Sequence, residues 1–299
     1  MTRPRLTPPT SSQPRVGGWA DYLELTKPEV SSLVVASALV GFYLGSEGKP
    51  DLLRLLHTLV GTALVAAGTG AFNQYLERED DARMRRTARR PLPSGRIPLR
   101  TAFCYATVLS AGGILYLAFL AAPLAALLAL LTWASYLFLY TPLKKKTPLC
   151  TAVGALPGAM PPLIGWAAAR GELNSQAWVL YAILFLWQFP HFLSIAWLYR
   201  EDYARAGILM LPVVDTSGIA TGRQMVGCSL ALLPVALVPT WLGMAGAVYF
   251  SGALVLGMAF LHLSVRAATS HSNAHARHLL HGSVAYLPLL FALLMLDKR

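Results

Sequence analysis

Charge is what this 299-residue chain has least of: Asp, Glu, Lys and Arg make up 13% of it, against 55% hydrophobic residues. With a mean hydropathy of +0.51, the chain lacks the polar surface a soluble domain needs. Carboxylates are the scarcer sign, 14 against 25 Lys and Arg, leaving a net charge of +11. The basic residues are scattered over loops instead of forming one patch, which argues against nucleic acid as a partner. Cysteine is also rare. Cys104, Cys150 and Cys228 share no metal-type spacing and sit in or near apolar runs, so buried, inert thiols are expected. Residues 1–18, rich in Pro, Arg, Thr and Ser, contain no apolar core; this excludes a cleavable signal peptide and predicts a disordered tail.

What the chain has in abundance is long apolar runs. They fall near 28–46, 54–76, 101–121, 122–140, 148–169, 176–199, 225–243, 245–265 and 281–296. Most reach the roughly 20 residues a helix needs to cross the hydrocarbon core; the last is short. Continuous runs of this kind are helices, since barrel strands alternate. The expected fold is therefore all-α and polytopic, with residues 19–299 forming a single transmembrane domain. Only Ala121-Ala122-Pro123 separates the third and fourth spans, which demands a tight hairpin.

With the N-terminus inside, 20 of the 25 basic residues fall on cytoplasmic segments, a four-to-one bias that fixes the orientation. Ten of the 14 acids lie on that side as well, which topology does not require. They include two clusters, Glu77–Asp81 and Glu201-Asp202, each following an even-numbered span and so emerging on the same face.

The first cluster belongs to a stretch from Asn73 to Gly95 holding four carboxylates and six arginines. If the second helix continues through it, Asn73, Glu77 and Asp81 stand at i, i+4 and i+8 on one face. Oxygen ligands stacked this way suit Mg²⁺, commonly held by one or two carboxylates plus substrate phosphates. Arginines downstream, Arg86 and Arg90 among them, serve either topology or phosphate binding. The same two readings apply to Lys144, Lys145 and Lys146 at the end of the fourth span. Asp202 would bring the second cluster to the same metal–diphosphate.

Deeper in the sixth span lies Trp187-Gln188-Phe189-Pro190-His191-Phe192. His191 precedes Asp202 by 11 residues, three helical turns, so the two share a face. Gln and His inside a span are costly unless they face the protein interior; His191 is either a hydrogen-bonded structural residue or a contact to a bound substrate or metal. His271, His275, His278 and His281 are expected in a polar loop and its exit. Gly154 and Gly158 form a small-xxx-small pair suited to close helix packing. Pro161-Pro162 must break or bend the fifth span.

Asn73-x3-Glu77-x3-Asp81-x2-Met84-x-Arg86-Thr87-x2-Arg90-Pro91-Leu92-Pro93-Ser94-Gly95 resembles the first aspartate-rich signature of the UbiA-type intramembrane prenyltransferases. Asp21-Tyr22 with Leu25 to Pro28, Tyr140-Thr141 with Lys144 and Thr147, Gly158-Ala159-Met160-Pro161-Pro162 through Gly165-Trp166, Trp187 to Phe192, and Asp202-Tyr203 through Leu211-Pro212 are similar to a branch of that superfamily whose acceptor is haem. The similarity covers most of residues 21–212 in the expected order. Glu77 stands where the signature usually has Asp, Asp80 where it is usually apolar, and Cys150 where the branch usually has Asn.

The resemblance implies about nine transmembrane helices around a central cavity, in a bacterial inner (plasma) membrane. It implies farnesyl diphosphate and haem B as substrates, haem O and diphosphate as products, and Mg²⁺ as cofactor. Asn73, Glu77, Asp81 and Asp202 would be the catalytic and metal-binding residues, Arg86, Arg90 and Lys144 would bind diphosphate, and His191 would serve the acceptor. Two rivals stay open: a relative with an aromatic or quinone-precursor acceptor, and a cation-coupled transporter. The transporter is disfavoured because the carboxylates gather at one membrane edge and not at mid-depth. No partner oxidase or haem A synthase is legible in the chain.

Overall fold

The computed structural model describes residues 17–299; the disordered tail expected over 1–18 lies outside them except for Gly17 and Gly18. Among the described residues nine helices are long and apolar enough to cross a membrane. They are α1 (Pro28–Gly45), α2 (Leu52–Leu76), α3 (Leu99–Leu120), α4 (Pro123–Leu143), α5 (Cys150–Arg170), α6 (Ser175–Leu198), α7 (Ile219–Trp241), α8 (Ala247–Ser270) and α9 (Asn273–Leu296). The chain is an integral membrane protein, and the hairpin expected at 121–122 is present, with Pro123 opening α4.

Helix ends follow local chemistry more than hydropathy. Asp51 caps α2 by accepting from the Arg54 N–H (3.0 Å), Asn174 caps α6 through Ala177 (3.1 Å) and Ser272 caps α9 through His275 (3.2 Å). The Ser272 cap starts α9 well before the apolar run at 281. His275, His278 and His281 therefore lie on the helix, contrary to the expected polar loop, and only His271 remains in the connection. α7 likewise begins at Ile219 rather than 225.

The core is formed where small residues let backbones meet. A Cβ on Gly41 would overlap the Pro162 carbonyl, and one on Gly165 the Ala38 carbonyl, so α1 and α5 touch along their backbones. Pro161 opens a second helical segment after the break at Ala159-Met160, as the double proline demands. Gly154 and Gly158 do not face another helix backbone: they lie against the Tyr140 ring and the Gln188 amide. Trp166, Leu163, Leu180 and Leu232 are fully buried, whereas Phe119 (82% exposed) and Val108 (70%) face outward, as lipid-facing residues do. Cys150 is buried as expected, but Cys104 is exposed and Cys228 half-buried.

At the end where α1 and α9 finish, Lys298 donates to the carbonyls of Tyr43 (2.6 Å) and Ser46 (2.7 Å), and Asp297 accepts from the Tyr249 N–H (2.7 Å). The Lys298 contacts fasten the end of the last helix to the first, and the Asp297 contact ties it to α8. The acidic clusters lie at the other end, after α2 and α6.

Candidate active site

α2 ends at Leu76, and a six-residue helix, Arg78–Arg83, follows through Glu77. The i→i−4 ladder crosses this junction: Glu77 N–H bonds the Asn73 carbonyl (2.9 Å) and Asp81 N–H the Glu77 carbonyl (2.8 Å). Asn73, Glu77 and Asp81 thus keep the shared face expected of them, and all three are buried, as is Asp80. α6 is built the same way. It passes through Tyr199 into a second six-residue helix, Arg200–Arg205, carrying Asp202.

The two turns repeat one another. Arg78-Glu79-Asp80-Asp81-Ala82-Arg83 and Arg200-Glu201-Asp202-Tyr203-Ala204-Arg205 differ at one position. Arg78 donates to the Tyr75 carbonyl three residues back (2.9 Å) and lies over that ring; Arg200 does the same to Trp197 (2.8 Å). The repetition was visible in the letters. It makes Asp80, not Asp81, the counterpart of Asp202.

Every buried carboxylate here has a cationic neighbour. Lys144 donates to Glu77 (2.6 Å), and one Arg90 nitrogen reaches both Asp81 oxygens (2.9 and 2.8 Å). Arg205 pairs with Asp202, while Lys145 stands 2.7 Å from Asp80 Oδ1 at an angle that makes no hydrogen bond. Burial opposes the charge on Glu77, but Lys144 and Lys27 outweigh it and hold its pKa below the ordinary carboxylate range. Burial likewise opposes the charge on Lys144, and the Glu77 carboxylate overcomes it, holding that ammonium well above its usual range.

Lys27 is the member that sequence reasoning gave no role. It precedes Pro28, which disfavours the right-handed helical region, and it adopts φ 52°, a strained left-handed conformation. This turn sends its ammonium to the Asn73 side-chain oxygen, 46 residues away. Burial, with Arg90 next, lowers its pKa to about 7. Nothing in a Lys-Pro pair announces that reach.

The two acidic segments meet. The Arg86 N–H lies 3.4 Å from Asp202 Oδ2, and its exposed guanidinium stacks over the Tyr199 ring at 4.9 Å. Met84, Cys150, Ala206, Ile208 and Met210 form an apolar floor shared by both segments. α4 approaches through a π-helical stretch, Ser135–Tyr140, which places the Tyr140 ring beneath the Lys144 ammonium at 4.5 Å. His191 stands apart. It stacks on Trp187 (4.8 Å), and its Nδ1 bonds Ser283 Oγ of α9 (2.7 Å).

Among the described residues no three His, Cys, Asp or Glu side chains converge as a ready cage for a metal. The donors are nonetheless hard carboxylate oxygens beside a crowd of cations, which fits Mg²⁺ in its usual mode, completed by substrate phosphates. Asn73 is the exception: Lys27 occupies its oxygen, and its Nδ2, a donor, is buried without a partner. Coordination through Asn73 would require the Lys27 bond to open.

A membrane-embedded bundle with paired acidic turns and phosphate-suited cations at one edge is the architecture of an intramembrane prenyltransferase. Residues 34–291 match the UbiA prenyltransferase family, and the chain belongs to it. A protoheme IX farnesyltransferase from Solibacter usitatus is 52% identical over 287 residues, covering 93% of this chain and 98% of the relative. In fold, the chain is similar to a digeranylgeranylglyceryl phosphate synthase structure (TM-score 0.76, 18% identity, 93% of this chain and 97% of that one). It is also similar to a UbiA homolog from Archaeoglobus fulgidus bound to GPP and Mg²⁺ (TM-score 0.68, 16% identity, 92% and 99%).

Proposed function

We infer that the chain transfers the farnesyl group of farnesyl diphosphate to a vinyl group of haem B, giving haem O and diphosphate. The observation that carries this reading is the 52% identity to a protoheme IX farnesyltransferase along nearly the whole of both chains. The site agrees chemically. In the reaction the C1–O bond of farnesyl diphosphate breaks and its electron pair leaves with diphosphate. A vinyl carbon bonds to the resulting allylic cation, and water then supplies the hydroxyl while a proton departs.

We propose Glu77, Asp81 and Asp202 as the carboxylates that hold Mg²⁺, with Asn73 beside them. Mg²⁺ would supply charge neutralisation of the departing diphosphate. Arg90, Lys144 and Lys27 would bind the phosphates by exchanging their carboxylate or amide partners for phosphate oxygens, and Arg86 would bring its exposed guanidinium. The Tyr136 and Tyr140 rings, 5.1 Å apart with Tyr140 beneath Lys144, would be suited to an allylic cation. His191, deeper on α6 and tied to α9, would position the acceptor. Residues 19–299 would form one catalytic domain, N-terminus inside, in a bacterial plasma membrane that excludes water from the farnesyl cation.

Purified protein in lipid nanodiscs, given farnesyl diphosphate, haem B and Mg²⁺, is expected to form haem O, measured by mass spectrometry of extracted haems, and to stop when EDTA is added. His191→Ala should impair haem O formation while leaving farnesyl diphosphate binding nearly intact. Prenylation of 4-hydroxybenzoate with haem B untouched would overturn the acceptor but leave the family.

A further inference from the structure

We propose a second anion site, on the lipid-facing side of the α8–α9 hairpin, that holds the phosphate group of an anionic amphiphile. His262 and Arg266 on α8, with His275 and His278 on α9, line an open cavity of about 220 Å³ floored by Leu263. Deeper in the hairpin Gly282 admits the Leu263 side chain, so the helices close beneath the cavity.

The cluster contains a cation and three imidazoles but no carboxylate. Arg266 forms no ion pair among the described residues; its guanidinium instead reaches His275 Nε2 at 3.0 Å. Ser272 Oγ holds the other ring nitrogen of His275 at 2.8 Å, so the imidazole is fixed from both sides. Arg266 is exposed and lines the same cavity as His278, whose ring lies 6.0 Å from that of His275. A planar fork of donors with no acid to neutralise it suits a phosphate. A metal fits poorly, because the guanidinium repels a cation and the imidazoles form no metal-holding group.

Depth identifies the ligand as amphiphilic. His262 is exposed about 12 Å along α8 from its end at Ser270, at 1.5 Å per residue. Its neighbours Met258 and Val265 are exposed apolar residues of a lipid-facing surface. A polar ring exposed there is costly unless something polar meets it. The loop joining α8 and α9 follows an even-numbered span, so this cavity opens on the same membrane face as the acidic site.

The test is native mass spectrometry of the full-length protein released from nanodiscs. Phosphatidylcholine discs doped with phosphatidylglycerol form one arm, and phosphatidylcholine discs with added inorganic diphosphate the other. Retention of phosphatidylglycerol over phosphatidylcholine supports a lipid headgroup. Because the acidic site would also take diphosphate, only diphosphate retention that is lost on substituting Arg266 and His278 supports a soluble phosphate source, and that outcome would overturn the amphiphile. Arg266→Gln combined with His278→Gln should reduce retention roughly tenfold, the loss of one charge-assisted contact, with Arg266→Lys recovering part of it. Neither ligand held above phosphatidylcholine, or equal retention by the double variant, would overturn the site. Arg266 and His278 are both exposed, so the variants are expected to fold.

Discussion

Glu77 and Lys144 are the residues whose pairing says most about the site. Both are largely desolvated, so each charge is tolerable only because of the other, and removing one partner strands a buried charge at a cost of about 3–5 kcal/mol. Lys144→Met is therefore expected to lower the melting midpoint, and adding Glu77→Gln to restore much of it. Neither variant should turn over, because the carboxylate and the ammonium are both needed once diphosphate arrives. Thermal denaturation alongside haem O assays separates the effects; activity in the double variant would remove the pair from the chemistry. The shared face of Asn73, Glu77 and Asp81 was legible because spacing alone decides it. The position of Lys27 was not, because it depends on one left-handed residue before a proline and on a partner far along the chain.

At the scale of elements, the short acidic helices after α2 and α6 are the same device used twice. Asp80 matches Asp202 in that repeat and is as deeply buried as Glu77. Asp80 stands where the resembled signature is usually apolar, yet its burial beside Lys145 makes it part of the wall. Asp80→Asn keeps the shape, loses the charge, and should reduce activity less than Asp81→Asn, whose carboxylate holds Arg90 by both oxygens. Steady-state rates at saturating farnesyl diphosphate check the order, and a more damaging Asp80→Asn would move the metal-facing position by one residue. Helix existence was readable from hydropathy; helix starts were not. α7 and α9 begin in polar sequence because capping and backbone pairing set the boundary, and hydropathy windows register only the apolar part.

For the whole molecule, the distribution of basic residues predicts that the connection between α2 and α3 is cytoplasmic. Ser94 is exposed in that connection. In a background with Cys104, Cys150 and Cys228 replaced, Ser94→Cys should resist a membrane-impermeant maleimide in intact cells and react once the membrane is opened. Labelling in intact cells would invert the proposed orientation. The nine-helix count was legible because each span buries its backbone polar groups within itself. The order in which the helices close on one another was not, since lipid-facing and protein-facing apolar residues look alike in a list of letters.

The clasp between Lys298 and the carbonyls of Tyr43 and Ser46 has a consequence in time. Its partners are separated by 255 and 252 residues. A ribosome adding about 5–20 residues per second needs roughly ten to fifty seconds to cover that interval. Throughout it, α1 resides in the bilayer without its final neighbour, and the bundle stays open along that seam. The seam between the first and last helices is therefore the last part of the bundle that can close during synthesis.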